Sequence, residues 1–262
     1  MKFVVEKEIF EKLPTACFGV VVAKGIDNGK SYPTVDALLD ESIAAAAAHF
    51  EGKKVKEEPE ILPYREAFRA LGINPNKFMC SIEALFTRIA KGKGMPHINP
   101  IVDLGNAVSL KYTLPMGAHD LSAGSDDICV RLAREGDTFL PFGSTEEEAP
   151  EAGEVGYAVG SQVRTRRWTW RQSEHGKIEA DSSYIFFPID GFTSLNLDRV
   201  LAARAELAER LERLFAATST SCLVTTVHRF FQAQLPPTPT ITPPPTSPSG
   251  PRPPPPAITT AI

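Results

Sequence analysis

The sequence predicts an α+β fold with an antiparallel or mixed sheet. Short strand-like runs are grouped in the middle of the chain between amphipathic helices, and no repeating strand–helix–strand unit is found. The chain has 262 residues, of which 42% are hydrophobic and 23% charged. This composition is typical of globular proteins, and a chain of this length can form a core without disulfide or metal cross-links.

The first third of the chain is predicted to contain one strand followed by helices. Residues 18–23 (FGVVVA) form a short Val-rich run that predicts a buried strand. Thr34 is predicted to cap a helix with apolar residues at helical spacing. A second helix is predicted between Pro63 at its first position and Gly72 at its end, and a third covers residues 81–90.

The middle of the chain is predicted to form strands, followed by one long helix. Residues 128–133 and 162–170 alternate apolar and polar side chains, and residues 184–189 (YIFFPI) form a third run. Proline lacks the N–H that a central strand needs, so Pro188 indicates that this run ends at a sheet edge. Asn196 is predicted to cap the long amphipathic helix that follows it.

The composition changes sharply after residue 235, so one domain is predicted over residues 1–235. Residues 236–262 include 12 prolines and a single charge, and are predicted to be extended and disordered. Such a tail could bind a proline-recognising domain, or it could be a dispensable or accidental C-terminus. Residues 218–234 show no clear periodicity, which favours the second interpretation.

Charge, cysteine content and hydropathy exclude several classes of protein. The chain has 28 Lys and Arg against 32 Asp and Glu, a net charge of −4, which argues against a tail-driven nucleic-acid binder, and DNA is not an expected partner. The four cysteines form no C-x-x-C pair, and the sequence has no H-E-x-x-H, P-loop or dinucleotide-binding motif, so no metal site or cofactor is predicted. No signal peptide or ~18-residue apolar stretch is present, so the expected location is the cytoplasm, away from membranes.

One segment combines arginines and tryptophans without an acid. Residues 163–172 read VRTRRWTWRQ, and on a strand Arg164, Arg166, Trp168 and Trp170 would share one face. Arginine binds phosphates and tryptophan stacks on bases, so the segment suggests an RNA-binding face. The alternative is that the tryptophans pack in the core and the arginines pair with acids, since five glutamates lie between residues 146 and 154.

Two linked motifs resemble a known family. Residues 95–110 (MPHINPIVDLGNAVSL) are similar to the R-P-I-N-x-V-V-D-x-T-N-Y-V-x-L segment of the phenylalanyl-tRNA synthetase beta subunit. Residues 114–121 (LPMGAHDL) are similar to its Q-P-x-H-A-F-D-L segment, with the same spacing. Residues 64–67, 81–85 and 165–172 resemble free-standing B3/B4 proteins. The chain therefore resembles the B3/B4 tRNA-binding domain, most strongly over residues 60–215.

This resemblance implies a fold and an activity. The fold is a β-sandwich-like core of unusual topology flanked by helices, of the type found in the synthetase beta subunit and related to the C-terminal part of tRNA lysidine synthetase. The synthetase domain hydrolyses tyrosine wrongly attached to tRNA. The implied activity is hydrolysis of a mischarged aminoacyl-tRNA ester in trans, an aminoacyl-tRNA deacylase that does not itself charge tRNA. The implied partner is tRNA or aminoacyl-tRNA.

The resemblance also assigns the site residues. The candidate catalytic residues are Asn106, which matches the family's Asn, and His119, which stands where the family has Phe; the candidate pocket residues are Asp103, Gly105, Gly117, Ala118 and Gln162, and the candidate RNA contacts are Arg164, Arg166, Arg167, Trp168 and Arg171. Gly117 and Gln162 replace the family's tyrosine-recognising His and Glu, so the amino acid need not be tyrosine. Two alternatives stay open: an RNA-binding module without chemistry, and a pocket for an amino acid or another small molecule. Asp103 could instead stabilise a turn, and Asn106 could satisfy backbone groups.

Overall fold

The computed structural model describes residues 1–122 and 127–233. The predicted Pro-rich tail, residues 236–262, lies outside these ranges. Within them, no helix is both long enough and apolar enough to cross a membrane.

Six α-helices and ten strands are formed by the described residues. The helices are α1 (Lys7–Lys12), α2 (Pro33–His49), α3 (Leu62–Ala70), α4 (Ser81–Ala90), α5 (Pro100–Tyr112) and α6 (Leu197–Phe215). The strands are β1 (Lys2–Val5), β2 (Ala16–Lys24), β3 (His119–Asp120), β4 (Ile128–Leu132), β5 (Val155–Val159), β6 (Gln162–Arg166), β7 (Arg171–Gln172), β8 (Tyr184–Phe192), β9 (Thr218–Val224) and β10 (Phe230–Gln232). A short 3₁₀ helix covers Val55–Glu57.

The strands form two sheets. The larger has the order β10-β1-β4-β5-β6-β7 and the smaller the order β3-β8-β2-β9. All neighbouring pairs are antiparallel except β1 and β4, which are parallel. The α+β prediction with a mixed sheet is therefore confirmed.

The period-2 alternation of β2 and β8 places the smaller sheet between two apolar layers. One set of side chains packs in the core shared with the larger sheet: Phe18, Val20, Val22 and Phe186. The alternate set packs under the helices: Cys17, Val21, Ala23, Ile185, Phe187 and Ile189. Both faces are buried, which explains why these strands are nearly continuous apolar runs.

Aromatic side chains fill the space between the two sheets. Phe3 on β1 lies with its ring centroid 5.0 Å from that of Phe186 on β8 and 6.0 Å from that of Phe18 on β2. Tyr157 on β5 stacks on the same Phe3 ring at 6.2 Å. The two sheets thus pack face to face, and α5 and α6 cover the outer face of the smaller one through side chains such as Val108 and Leu207.

Several predicted elements are confirmed, and some local predictions are wrong. The predicted helix over residues 81–90 matches α4, and Gly72 follows α3 with a φ of 77°. Thr34 caps no helix, because α2 already begins at Pro33 after Tyr32. Asn196 is the N-cap residue of α6, as predicted, although its side chain accepts a hydrogen bond from the backbone N–H of Phe192 and makes no capping bond to the helix.

Pro188 lies inside β8 and does not mark a sheet edge. It is opposite Val20 of β2, and its carbonyl accepts a hydrogen bond of 3.2 Å from the N–H of Gly117 on the other side. The chain around residue 117 pairs only loosely with β8 there, so the missing proline N–H breaks no continuous ladder. Residues 218–234, for which no periodicity was found, contain β9 and β10.

A charged cluster joins α5 to α6 and predicts how stability depends on pH. Glu206 accepts hydrogen bonds from Lys111 Nζ (2.6 Å), Tyr112 Oη (2.6 Å) and Arg210 Nε (2.8 Å). Burial alone would raise the pKa of Glu206, but these bonds outweigh it and lower the pKa from 4.5 to about 2. The stabilisation is therefore present above pH 4.5 and lost as the pH falls toward 2.

The Glu206→Gln variant tests this cluster. At pH 7 we expect the variant to unfold at lower urea, with a free energy of unfolding about 1–2 kcal/mol below that of the parent. Urea unfolding repeated at pH 3 should show a smaller difference, because below pH 4.5 the carboxyl is protonated in the unfolded parent and part of the stabilisation is lost. A difference that stays constant between pH 7 and pH 3 would contradict this role of the carboxylate.

Candidate functional site

Four of the residues implied as site residues line one cavity of about 310 Å³. Gly105 and Asn106 come from α5, and Gly117 and Ala118 from the segment leading into β3. The other lining residues are largely apolar. One of them is Phe142, which is 46% exposed. The structure therefore brings residues of the two sequence motifs together around one space.

The start of α5 fixes the helical wall of this cavity. Asn99 is the N-cap of α5, its Oδ1 accepts the N–H of Val102 at 3.0 Å, and Pro100 occupies the first turn. Val102, Gly105 and Asn106 then share one helix face because they are three and four residues apart. The Asn106 amide makes no hydrogen bond to any residue the structure describes, so it is available to a ligand.

A smaller recess of about 70 Å³ adjoins the cavity. Its lining includes His119 on β3, Tyr157 on β5, Trp168 and Thr169 in the turn after β6, and Asp190 on β8. Met116, Gly117 and Gln172 line both spaces. The implied catalytic pair is therefore divided between them, with Asn106 in the larger cavity and His119 in the recess.

The recess surrounds a buried carboxylate. Asp190 is 2% exposed, and its Oδ1 accepts two hydrogen bonds of 2.7 Å, from Tyr157 Oη and from Trp168 Nε1. Two buried polar atoms of the lining residues, His119 Nδ1 and Thr169 Oγ1, have no hydrogen-bond partner among the described residues. Buried polar atoms are rarely unpaired, so this part of the interior is unusually polar.

Burial changes the charge of both titratable groups in the recess. It raises the pKa of Asp190 to about 7, although the hydrogen bonds from Tyr157 and Trp168 oppose this. Burial, with a smaller effect of the Arg164 charge, lowers the pKa of His119 to about 3. His119 is therefore a neutral imidazole at pH 7, while Asp190 can gain or lose a proton near that pH.

Comparison with known proteins gives the family. Residues 63–230 match the sequence model of the B3/4 domain, which is well over half of the chain. The chain belongs to the B3/4 domain family. No curated protein sequence matches it. A solved structure to which it is similar is an N-terminal fragment of the phenylalanyl-tRNA synthetase beta-subunit from Pyrococcus horikoshii, at 8% identity and a TM-score of 0.45, over 84% of this chain and 53% of that one.

Two implied pocket residues of this B3/4 domain lie away from both spaces. Asp103, 2% exposed, accepts a hydrogen bond of 3.0 Å from the N–H of Ile98, which is the turn-stabilising role considered as an alternative. Gln162 begins β6 opposite Val159 and lines neither space. Gln172, which was not predicted, does line both, and its Nε2 donates to the carbonyl of Ala118 at 2.6 Å.

The Arg- and Trp-rich segment of the B3/4 domain is not one continuous strand. Strand β6 ends at Arg166, and Arg167 and Trp168 have left-handed backbone conformations, with φ of 48° and 61°. The chain therefore turns before β7 begins at Arg171. This corrects the predicted strand over residues 162–170, whose alternation does not continue through the turn.

The side chains of this segment correspond to the alternative with core packing and ion pairs. Trp168 has no exposed surface, so it offers no ring face to a base. Both neighbouring arginines form ion pairs. Arg166 Nε lies 2.8 Å from Glu154 Oε1, and Arg167 Nη2 lies 2.8 Å from Glu151 Oε1.

Two implied RNA contacts remain outside these pairs. Arg164 is 7% exposed, so it too lies away from the surface. Arg171 is exposed, lines the recess and forms no ion pair with the described residues. Arg171 is thus the implied RNA contact that is free to meet a phosphate.

The sequence reasoning missed Asp190 and Tyr157. One signal was available for Asp190, since an acid within the run YIFFPIDGF is unusual for a strand buried on both faces. Nothing local distinguishes Tyr157, which is one aromatic residue of β5. Its role depends on the pairing of two distant strands, which sequence spacing does not show.

Two other features of the B3/4 domain are less suited to be the site. A cavity of about 380 Å³ lies between α2, α4 and α5, but contains none of the implied residues. Asp36, His97 and Asp103 offer ligand atoms within 4.8 Å of one another, a spacing that could hold a metal ion. Both ring nitrogens of His97 are already near carboxylates, at 3.1 Å from Asp103 and 3.3 Å from Asp40, which accounts for this cluster without an ion.

Proposed function

We propose that this protein hydrolyses the ester of a mischarged aminoacyl-tRNA in trans, with the amino acid bound in the 310 Å³ cavity. The observation that carries the proposal is the position of Gly105, Asn106, Gly117 and Ala118 around that cavity, beside a polar recess. The volume is near the lower end of small-molecule sites, roughly 300–1,000 Å³. It suits an amino acid better than a nucleotide.

Direct attack by water needs no covalent intermediate. No cysteine is among the described residues that line either space, and Lys177 at the larger cavity pairs with Glu174 at 2.8 Å. An aminoacyl ester is already activated, so positioning water and stabilising the developing negative charge on the carbonyl oxygen are sufficient. The unbonded amide of Asn106 can donate a hydrogen bond to that oxygen.

The RNA end of the substrate is expected at Arg171. This side chain is exposed beside the recess, and its guanidinium can pair with a phosphate of the tRNA 3′ end. With a net charge of −4, the affinity for RNA should be modest and should fall with salt.

A second candidate function is a pocket for a free amino acid or a similar small molecule. The observation that favours it is the pairing of Arg166 and Arg167 with glutamates, which leaves few cations for RNA. Under this alternative tRNA would not compete with the small ligand. Competition by uncharged tRNA therefore separates the two functions.

The experiment is deacylation of a panel of aminoacyl-tRNAs by the full chain and by two variants. We expect at least one mischarged species to be hydrolysed above background, and Asn106→Ala to slow this by about 10-fold or more, because a donor to the carbonyl oxygen is lost. Ser42→Ala is the control, since Ser42 lines the other cavity. Absence of hydrolysis for every species would refute the proposal.

A further inference from the structure

We infer that Asp190 is the general base of this hydrolysis and that the recess holds the water it activates. The inference rests on the proposed function. It adds a residue and a water site that the sequence motifs do not contain.

The recess has the size and polarity of a water site. Its volume of about 70 Å³ exceeds the ~10–15 Å³ of accessible space that one water needs. Asp190 Oδ2 makes no hydrogen bond within the described residues, and His119 Nε2 lies beside Gly117 at the junction with the larger cavity. A buried water typically makes about three hydrogen bonds, and Asp190 Oδ2, His119 Nε2 and Gln172 Oε1 can supply them.

The Asp190 carboxylate is held in one orientation. Tyr157 Oη and Trp168 Nε1 both donate to Oδ1, and the backbone carbonyl of Asp190 accepts a hydrogen bond of 2.9 Å from Tyr64 Oη. One carboxylate oxygen is therefore used by the protein, and Oδ2 is left for a water in the recess. A fixed base of this kind loses little entropy when the reaction begins.

The recess meets the 310 Å³ cavity at the point where the substrate carbonyl is expected. Met116, Gly117 and Gln172 line both spaces. A Cβ at Gly117 would lie 3.5 Å from His119 Nε2 and 3.4 Å from Pro188 Cγ, so a larger residue would occupy this junction. The Gln172 amide, fixed by its bond to Ala118, can accept a hydrogen bond from the water through Oε1.

Each titratable group around Asp190 keeps a single charge state near pH 7. The charge of the recess therefore changes only when Asp190 itself gains or loses a proton. Burial raises the pKa of Cys17 to about 12 and raises the pKa values of Tyr64 and Tyr157 well above 10, while the pKa of His119 is lowered to about 3. The charged side chains nearby are arginines, Arg164 on β6 and Arg171 on β7. With its pKa raised to about 7 by burial, Asp190 is suited to act as a base near pH 7.

The reaction balances without an oxidant or a metal ion as co-reactant. The water oxygen bonds to the ester carbonyl carbon while Asp190 Oδ2 takes one water proton. The bond between that carbon and the ribose oxygen then breaks, and the proton passes from Asp190 to the ribose oxygen. The products are the free amino acid and a tRNA with a free terminal hydroxyl, and the carboxylate is restored.

The Asp190→Asn variant is the direct test. Asparagine has the same shape and keeps an oxygen that can accept from Tyr157 and Trp168, so the change removes the base with little effect on packing. We expect deacylation to fall about 100-fold or more. Binding of a non-hydrolysable amide-linked aminoacyl adenosine should change less than threefold. Asp120→Asn, the same substitution on β3 outside the recess, is the control and should stay within twofold of the parent.

A second variant keeps the test valid if Asp190→Asn fails to fold. The rate of the parent should rise with pH through a midpoint near 7. Tyr157→Phe removes one hydrogen bond to the charged carboxylate, so its midpoint should move to higher pH. A purely structural role for Tyr157 would lower the rate without moving the midpoint.

The outcomes separate the inference from the proposed function. If the parent hydrolyses a mischarged species and Asp190→Asn retains a third or more of the rate, Asp190 is not the base and the proposed function stands. A parent rate that does not change between pH 5.5 and 8.5 leads to the same conclusion. If the parent hydrolyses no species, the proposed function and the inference both fail.

Discussion

The Gly105→Phe variant is expected to lose deacylation about 100-fold or more while keeping its fold. Gly105 lies within α5, and a Cβ built on it would meet no atom within 4 Å. The added ring would therefore extend into the 310 Å³ cavity without disturbing the packing of the helix. It should exclude the acyl group or displace the ester from the water.

The Gly105→Ala variant is the matched control for that experiment. It should retain activity and gain about 0.5–1 kcal/mol in the free energy of unfolding, because alanine favours a helix interior over glycine. Deacylation rates and urea unfolding of both variants provide the comparison. If Gly105→Phe folds and keeps full activity, the acyl group does not bind in this cavity.

The largest expected loss of stability follows removal of Glu83. Glu83 on α4 pairs with Arg65 on α3, and the two side chains are 3% and 6% exposed. Arg65 also donates to the Pro75 carbonyl at 3.1 Å. Glu83→Ala would leave a buried guanidinium without a counter-charge, which should lower the free energy of unfolding by about 3–5 kcal/mol.

An exposed ion pair on α3 provides the control for this prediction. Glu66 pairs with Arg69, and both side chains are about half exposed or more. Glu66→Ala should change the free energy of unfolding by less than about 0.5 kcal/mol. Urea unfolding of both variants at pH 7 measures the contrast. Equal losses would show that burial does not determine the strength of the Arg65 pair.

The sequence could predict much of the fold because its clearest signals are local. The helix over residues 81–90 has regular apolar spacing, and β2 is a compact apolar run. The two motifs around residues 105 and 117 could be assigned to one pocket because a resemblance linked them. Their position on the same cavity agrees with that assignment.

The recess could not be predicted because it is made by contacts between distant segments. His119 and Asp120 are neighbours on β3 and point to opposite sides, so His119 enters the recess while Asp120 accepts from Ser182 Oγ. The turn at Arg167 brings the Trp168 indole onto Asp190, 22 residues away in the chain. Alternation within one segment gives no information about either contact.

The pairing of β1 with β10 has a consequence for how the chain folds. Lys2 lies opposite Gln232, and β1 is also the parallel partner of β4. During synthesis, β1 leaves the ribosome before the other strands but cannot complete its hydrogen bonds until almost all of the described chain has emerged. Contacts this distant in sequence are associated with slow folding. Strand β1 therefore has an unpaired edge until β10 has emerged, and during this time it can pair with another chain instead.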